Sequence, residues 1–335
     1  MSDILLKVEN LHTRFKQHDT VVHAVNGLSY ELKRGESMAI VGESGSGKSV
    51  SVRSLLNLLP PSAEITSGTA EFDGVDLIGM KPEDLRKIRG KDISFIFQDA
   101  MKSLNPTMQL SKQLTEHLVW HGIARRHEAE RIAIEAMKDV GLDRPDTRMK
   151  QYPFQLSGGQ RQRTMIAMAM ASNPRLLIAD EPTTALDVTI QRQILDILKR
   201  KTAEGMSIIL ITHDLGVARY FCDNVVVMYA GAAVERGPMK EVLQNPAHPY
   251  AAGLLNSTLE IDKGKGRLES IPGNPPNLTK LPQGCPFAPR CVLAEERCVN
   301  EPQELRRWAE GRDVACWKAP EQTIGATDEA IVRAN

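Results

Sequence analysis

The sequence predicts an α/β protein with a mainly parallel sheet, an antiparallel β subdomain, a helical insert and a small Cys-rich C-terminal appendage. Three observations carry that expectation. Short, wholly apolar runs alternate with helical stretches over much of the chain. That is the pattern of strands covered on both faces by helices. The run Ser37–Val41 leads straight into Gly42-Glu43-Ser44-Gly45-Ser46-Gly47-Lys48-Ser49, a glycine-rich turn that opens a helix. A later run, residues 175–181, ends in Asp180-Glu181. Ligand loops of such folds lie at the carboxyl ends of the strands.

Taken in order, residues 4–9 and 28–32 read as short strands, joined through a polar turn at 17–20. Ser37–Val41 is a buried strand and 48–59 a helix, ended by Pro60-Pro61. Strands follow at 69–72 and 93–97. The character then changes, and about 99–157 reads as a helical subdomain. Within it, 128–140 places Ile132, Ala136, Met137 and Val140 on one face, and Gly141 is a stop. The alternation resumes with helix 158–172, strand 175–180, helix 189–203, strand 207–212, helix 214–221 and strand 224–230. Past Gly237 proline becomes dense and four cysteines appear. Residues 1–240 are therefore read as one domain, 241–320 as a second and 321–335 as a weakly ordered tail.

The 335 residues suffice for one large domain and a smaller one. Lys+Arg and Asp+Glu both number 42, and this balance argues against nucleic acid as a main partner. The first residues, MSDILLKVENLH, lack the cationic and apolar regions of a secretory signal. The longest apolar run, residues 225–234, is too short to span a bilayer. Any membrane role is expected to come through a partner.

The turn at 42–49 fits the Walker A pattern G-x-x-x-x-G-K-[ST] with a strand before it and a helix after. Gly42, Ser44, Gly45, Ser46 and Gly47 let successive N–H groups face phosphates, aided by the helix N-terminus. Lys48 is expected on the β- and γ-phosphates and Ser49 on Mg²⁺. Asp180 suits the Mg²⁺ shell, and Glu181 is placed to orient or deprotonate an attacking water. A second glycine-rich turn, Leu156-Ser157-Gly158-Gly159-Gln160, also opens a helix. Ser157 caps that helix, and the glycines keep side chains clear of an approaching phosphate.

LSGGQ together with the two Walker motifs resembles the signature of ATP-binding-cassette proteins, over roughly residues 1–240. The order of the motifs agrees, with Ala185-Leu186-Asp187 and then His213 following the strands. The resemblance implies that Gln98 contacts Mg²⁺ or the attacking water, that His213 contacts the γ-phosphate, and that Asp187 lies at a dimer interface. It implies that 157–160 close over a partner's nucleotide. Phe15 matches the adenine-stacking position, and a core or edge-strand role fits it equally. The segments 245–250, 271–276 and 281–291 extend the likeness to ATPase subunits of bacterial dipeptide and oligopeptide importers. The implied partners are a homologous second ATPase, two membrane permease subunits and, indirectly, a periplasmic peptide-binding protein. The implied location is peripheral, on the cytoplasmic face of the inner membrane.

Cys285, Cys291, Cys298 and Cys316 are spaced C-x5-C-x6-C-x17-C. Four thiolates hold Zn²⁺ or a [4Fe–4S] cluster. The importer resemblance favours the cluster, with zinc and free thiols as alternatives. Two other functions stand beside peptide import. One is a soluble cassette ATPase of repair or translation, although neither a long coiled-coil insert nor a second cassette is present. The other is a regulatory nucleotide-binding module, against which Glu181 and His213 speak.

Overall fold

The computed structural model describes residues 3–17, 19–184, 186–263 and 271–319; Ala185 and the expected tail at 321–335 lie outside these. Two long strands, β1 (Ile4–Gln17) and β2 (Thr20–Lys33), form an antiparallel hairpin. They are longer than the expected 4–9 and 28–32. Register shifts between Val8 and Leu11 and around His12 break the two-residue alternation, which hides the strands' continuity. After β3 (Ser37–Val41) and the Lys48–Leu55 helix, β4 (Ala63–Phe72) pairs with the other edge of β1, and β5 (Val75–Asp76) completes a four-stranded sheet. The helix stops short of the expected 59 because Asn57 takes a left-handed conformation, φ 48°, ahead of Pro60.

The larger sheet takes β3, β6 (Ile93–Ile96), β7 (Leu176–Asp180), β8 (Ser207–Ile211) and β9 (Asn224–Tyr229) in parallel, in the order β9-β3-β8-β7-β6. Every residue of β3, β7 and β8 is buried. Alternate residues serve opposite faces, as the two-residue strand period requires. Met38 and Ile40 join Leu6, Leu28 and Val52 in a core under the antiparallel sheet. Ala39 and Val41 join Met137, Ile166 and Leu198 in a core under the helices. The helical insert packs into that second core through Leu110, Leu114, Ala133, Ala136 and Met137. Its Arg126–Asp139 helix ends where expected, with Gly141 at φ 71°.

The C-terminal segment is more tightly joined than its composition suggests. The strand β10 (Ala232–Pro238) pairs with β9, and β12 (Arg312–Val314) pairs with β10 and with β11 (Arg306–Ala309). The parallel sheet thus continues into antiparallel strands from the segment read as an appendage. Tyr250, Ala251, Leu255 and Phe287 belong to the same core as Leu177 and Val227. The two last strands are short and polar, Arg-Arg-Trp-Ala and Arg-Asp-Val, so no apolar run announced them.

Two buried groups anchor this junction. Glu235, fully buried, receives Arg312 Nη2 at 2.6 Å and the N–H groups of Ala247 and His248. His248 is also buried, and its Nδ1 accepts the Tyr250 N–H at 3.0 Å. Burial pushes the His248 imidazole down to about 3. The neutral ring is native, so the unfolded chain binds a proton that the folded one refuses between roughly pH 6.5 and 3. Stability is expected to fall as pH drops through this window, by at most about 1.4 kcal/mol per pH unit from this group. Urea titrations at pH 7 and pH 5 check it. His248→Asn, which keeps an acceptor, should flatten the slope over that range.

Candidate functional site

The carboxyl ends of β3 and β7 bring the two Walker segments together. Gly42 and Gly47 could not be other residues. A Cβ at Gly42 would lie 2.3 Å from the Met228 carbonyl oxygen, and one at Gly47 would lie 2.3 Å from that of Ala24. Their φ values, 152° and 96°, also fall where side chains are strained. Lys48 folds back along this loop. Its Nζ donates to the carbonyls of Gly42 at 2.8 Å and Glu43 at 2.9 Å. Burial lowers the Lys48 pKa, against the opposing pull of Glu181, Asp180 and Glu43. A cation so poorly hydrated is well placed to receive a polyphosphate.

Ser49 Oγ donates to Asp180 Oδ1 at 2.8 Å, and Arg53 Nη2 meets Asp180 Oδ2 at 3.1 Å. Asp180 itself is fully buried. Ser49 and Arg53 share a helix face four residues apart, so both reach the acid. Arg53 was not foreseen; its helical spacing from Ser49 was the available signal. Glu181 stands one residue further at φ 48°, a left-handed geometry that costs a non-glycine residue on the order of 1–3 kcal/mol. Its two carboxylate oxygens are shared: Gln98 Nε2 donates to Oε2 at 2.9 Å, and His213 Nδ1 lies 3.1 Å from Oε1. Gln98, Glu181 and His213, brought from the ends of three strands, therefore form one linked group.

These residues border a cavity of about 600 Å³, lined by Ser44 to Val50, Gln98, Glu181, His213 and Ala24. The Ser46 hydroxyl is buried here without a hydrogen-bond partner. The glycine cradle and this orphaned hydroxyl suit phosphate oxygens. Hydroxyl and carboxylate oxygens at Ser49 and Asp180, with the Gln98 amide nearby, suit a hard cation such as Mg²⁺.

The signature-like turn lies elsewhere. Ser157 Oγ accepts the Gln160 N–H at 3.3 Å, and Gln160 Oε1 accepts the Ser157 N–H at 3.0 Å, a reciprocal cap. Ser157 and Gly158 are exposed, Gly159 and Gln160 half-buried, and none of the four lines the cavity.

The profile of the family described as ABC transporter matches residues 25–184. That of the oligopeptide/dipeptide transporter C-terminal region matches residues 234–298. The oligopeptide transport ATP-binding protein OppD of Salmonella typhimurium is 46% identical over 324 residues, covering 96% of each chain. The chain belongs to the oligopeptide/dipeptide ABC transporter family. The dipeptide transport ATP-binding protein DppD of Bacillus subtilis is 47% identical, covering 93% of this chain and 94% of its own. Among solved structures, the dimeric ATP-binding cassette MJ0796 in a post-hydrolysis state, bound to ADP and Pi, aligns with a TM-score of 0.64. It is 29% identical and covers 70% of this chain and 98% of its own.

The remaining expected residues of this ABC chain lie away from the cavity. Asp187 is exposed and caps the Val188–Ala203 helix by accepting the Ile190 N–H at 2.9 Å, while the neighbouring Val188 is 82% exposed. Phe15 is half-buried on β1, opposite Val22 and Ala63, and does not border the cavity. Cys285, Cys291 and Cys316 each lie close enough to Cys298 to feel its charge, and burial pushes these three thiols up. Among the described residues, however, no group of three or more Cys, His, Asp or Glu side chains is arranged to hold a metal ion.

Proposed function

We infer that this chain is the ATP-hydrolysing subunit that energises uptake of peptides across a bacterial inner membrane. One observation carries the reading: a Walker site and an exposed signature turn occur in the same chain with a peptide-transporter C-terminal region. Soluble repair or translation ATPases and regulatory binding modules do not account for that region. No helix among the described residues is long and apolar enough to cross a membrane, so membrane coupling is assigned to partner subunits.

In the proposed mechanism the glycine loop from Gly42 to Gly47 wraps the phosphates and Lys48 leaves its carbonyl partners to pair with the β- and γ-phosphates. Bound Mg²⁺, held by Ser49, Asp180 and Gln98, would neutralise phosphate charge. Glu181 accepts a proton from the attacking water, and His213 and Gln98 hold the carboxylate while reaching toward the γ-phosphate. Ser157, Gly158, Gly159 and Gln160 serve the nucleotide of a second, homologous ATPase, with Asp187 at that interface and Phe15 against adenine. Closure of the pair, followed by product release, drives two permease subunits through the helical subdomain at about 99–157, which completes the 1–240 cassette. The 241–320 segment serves as the importer-specific domain. A periplasmic binding protein supplies the peptide, and the subunit sits on the cytoplasmic face of the membrane.

The cysteine spacing and the convergence of the four thiols support an iron–sulfur cluster here, with zinc as its alternative. No mechanistic step passes through it. Iron and sulfide analysis of anaerobically purified protein decides it, and zinc alone or no metal would remove the cluster. The transport reading is tested by affinity purification of the chain from membranes. Co-purification of permease subunits and a second ATPase, with peptide-stimulated ATP hydrolysis, is expected. A chain recovered alone, hydrolysing ATP without response to peptide, would contradict it.

A further inference from the structure

The C-terminal segment reaches the phosphate loop at one point. Arg290 lies in the short Ala288–Arg290 turn, immediately before Cys291. Its side chain is 4% exposed, and it meets Glu43 across 247 residues of sequence. The pairing is bidentate: Nη1 donates to Glu43 Oε2 at 2.7 Å and Nη2 to Oε1 at 2.9 Å. The remaining donors tie the guanidinium into its surroundings. Nε donates to the Pro272 carbonyl at 2.8 Å, Nη2 to that of Ile271 at 3.2 Å, and Nη1 to the Tyr229 hydroxyl at 3.2 Å. A second C-terminal residue grips the same target, because the Glu43 N–H donates to the Tyr250 hydroxyl at 2.8 Å.

Glu43 is the second residue of the phosphate loop, and its carbonyl accepts both Lys48 Nζ at 2.9 Å and the Ser46 N–H at 3.2 Å. One residue is therefore fixed by the C-terminal segment at its amide and its carboxylate, and fixes the loop lysine and the loop turn at its carbonyl. Nothing in the Walker A pattern requires an acid at this position. A half-buried carboxylate on the phosphate loop is unfavourable unless neutralised, and the fork geometry of Arg290 neutralises it while holding its direction.

We propose that Arg290 is a positioning residue for ATP, through which the C-terminal segment sets the affinity of the phosphate loop. The inference rests on the ATP-site reading above. The test is equilibrium binding of Mg-ATP to the full-length chain and to Arg290→Ala, Arg290→Lys, Glu43→Gln and the Arg290→Ala/Glu43→Gln pair. Thermal melts of the same samples separate folding from affinity. Arg290→Ala and Glu43→Gln are each expected to weaken binding about tenfold at an assay temperature where both are folded. The double variant should be no weaker than the worse single, because both changes break one interaction. Arg290→Lys, with charge but no fork, should fall between. Wild-type affinity in folded Arg290→Ala, or fully additive losses in the pair, would overturn the proposal. If Arg290→Ala does not fold, Glu43→Gln decides alone, and unchanged affinity there overturns it. Lys48→Ala is the control for the underlying reading: undiminished ATP binding in that variant would sink the ATP site itself, and the inference with it.

Discussion

Under the proposed mechanism, Glu181→Gln should leave ATP bound and the proposed ATPase pair closed, with hydrolysis slowed about 10³-fold. The glutamine is isosteric and its amide oxygen still accepts from Gln98, whose Nε2 now lies 2.9 Å from the carboxylate. What is lost is the proton acceptor proposed for the attacking water. The strained φ of 48° at this residue points the same way, since such geometry persists where the surroundings enforce it. Single-turnover hydrolysis measures the chemical step, and light scattering of the ATP-loaded pair measures closure. Turnover near the wild-type rate would remove Glu181 from the role of base.

The second large effect concerns stability. Glu235 and Arg312 are 0% and 3% exposed, and their contact joins β10 to β12. Removing one partner of a buried pair leaves an uncompensated charge and costs about 3–5 kcal/mol. The two substitutions should not be equal. Arg312→Ala leaves Glu235 with the Ala247 and His248 N–H donors, which partly solvate it. Glu235→Ala strands those two donors and leaves a buried guanidinium without a counter-charge, holding the Asn245 carbonyl at 2.8 Å while its Nε lacks a partner. Glu235→Ala is therefore expected to be the more destabilising, and the combined Glu235→Leu/Arg312→Met to recover only part of the loss. Chemical denaturation of the three variants checks the order; a milder Glu235→Ala would contradict it.

How much of this was legible depended on how local each signal was. The phosphate loop lies in eight consecutive residues, and β3, β7 and β8 are apolar at most positions because both faces are covered. Those parts needed no structure. The convergence of Gln98, Glu181 and His213 came from resemblance, since nothing in their separate surroundings joins them. Arg290, Tyr250 and Arg312 could not be read, because no local pattern around any of them names its partner. Their partners are 247, 207 and 77 residues away. The full length of the β1–β2 hairpin is hidden in the sequence because its register shifts interrupt the alternation. Composition marked the C-terminal segment as different, yet its strands complete the sheet of the cassette.

Uptake into membrane vesicles carrying this chain with its permease partners tests the central assignment most directly. ATP supplied on the subunit's side should drive accumulation of labelled peptide, and Glu181→Gln should abolish it while ATP stays bound. ATP hydrolysis without peptide accumulation, or accumulation unaffected by Glu181→Gln, would contradict the assignment.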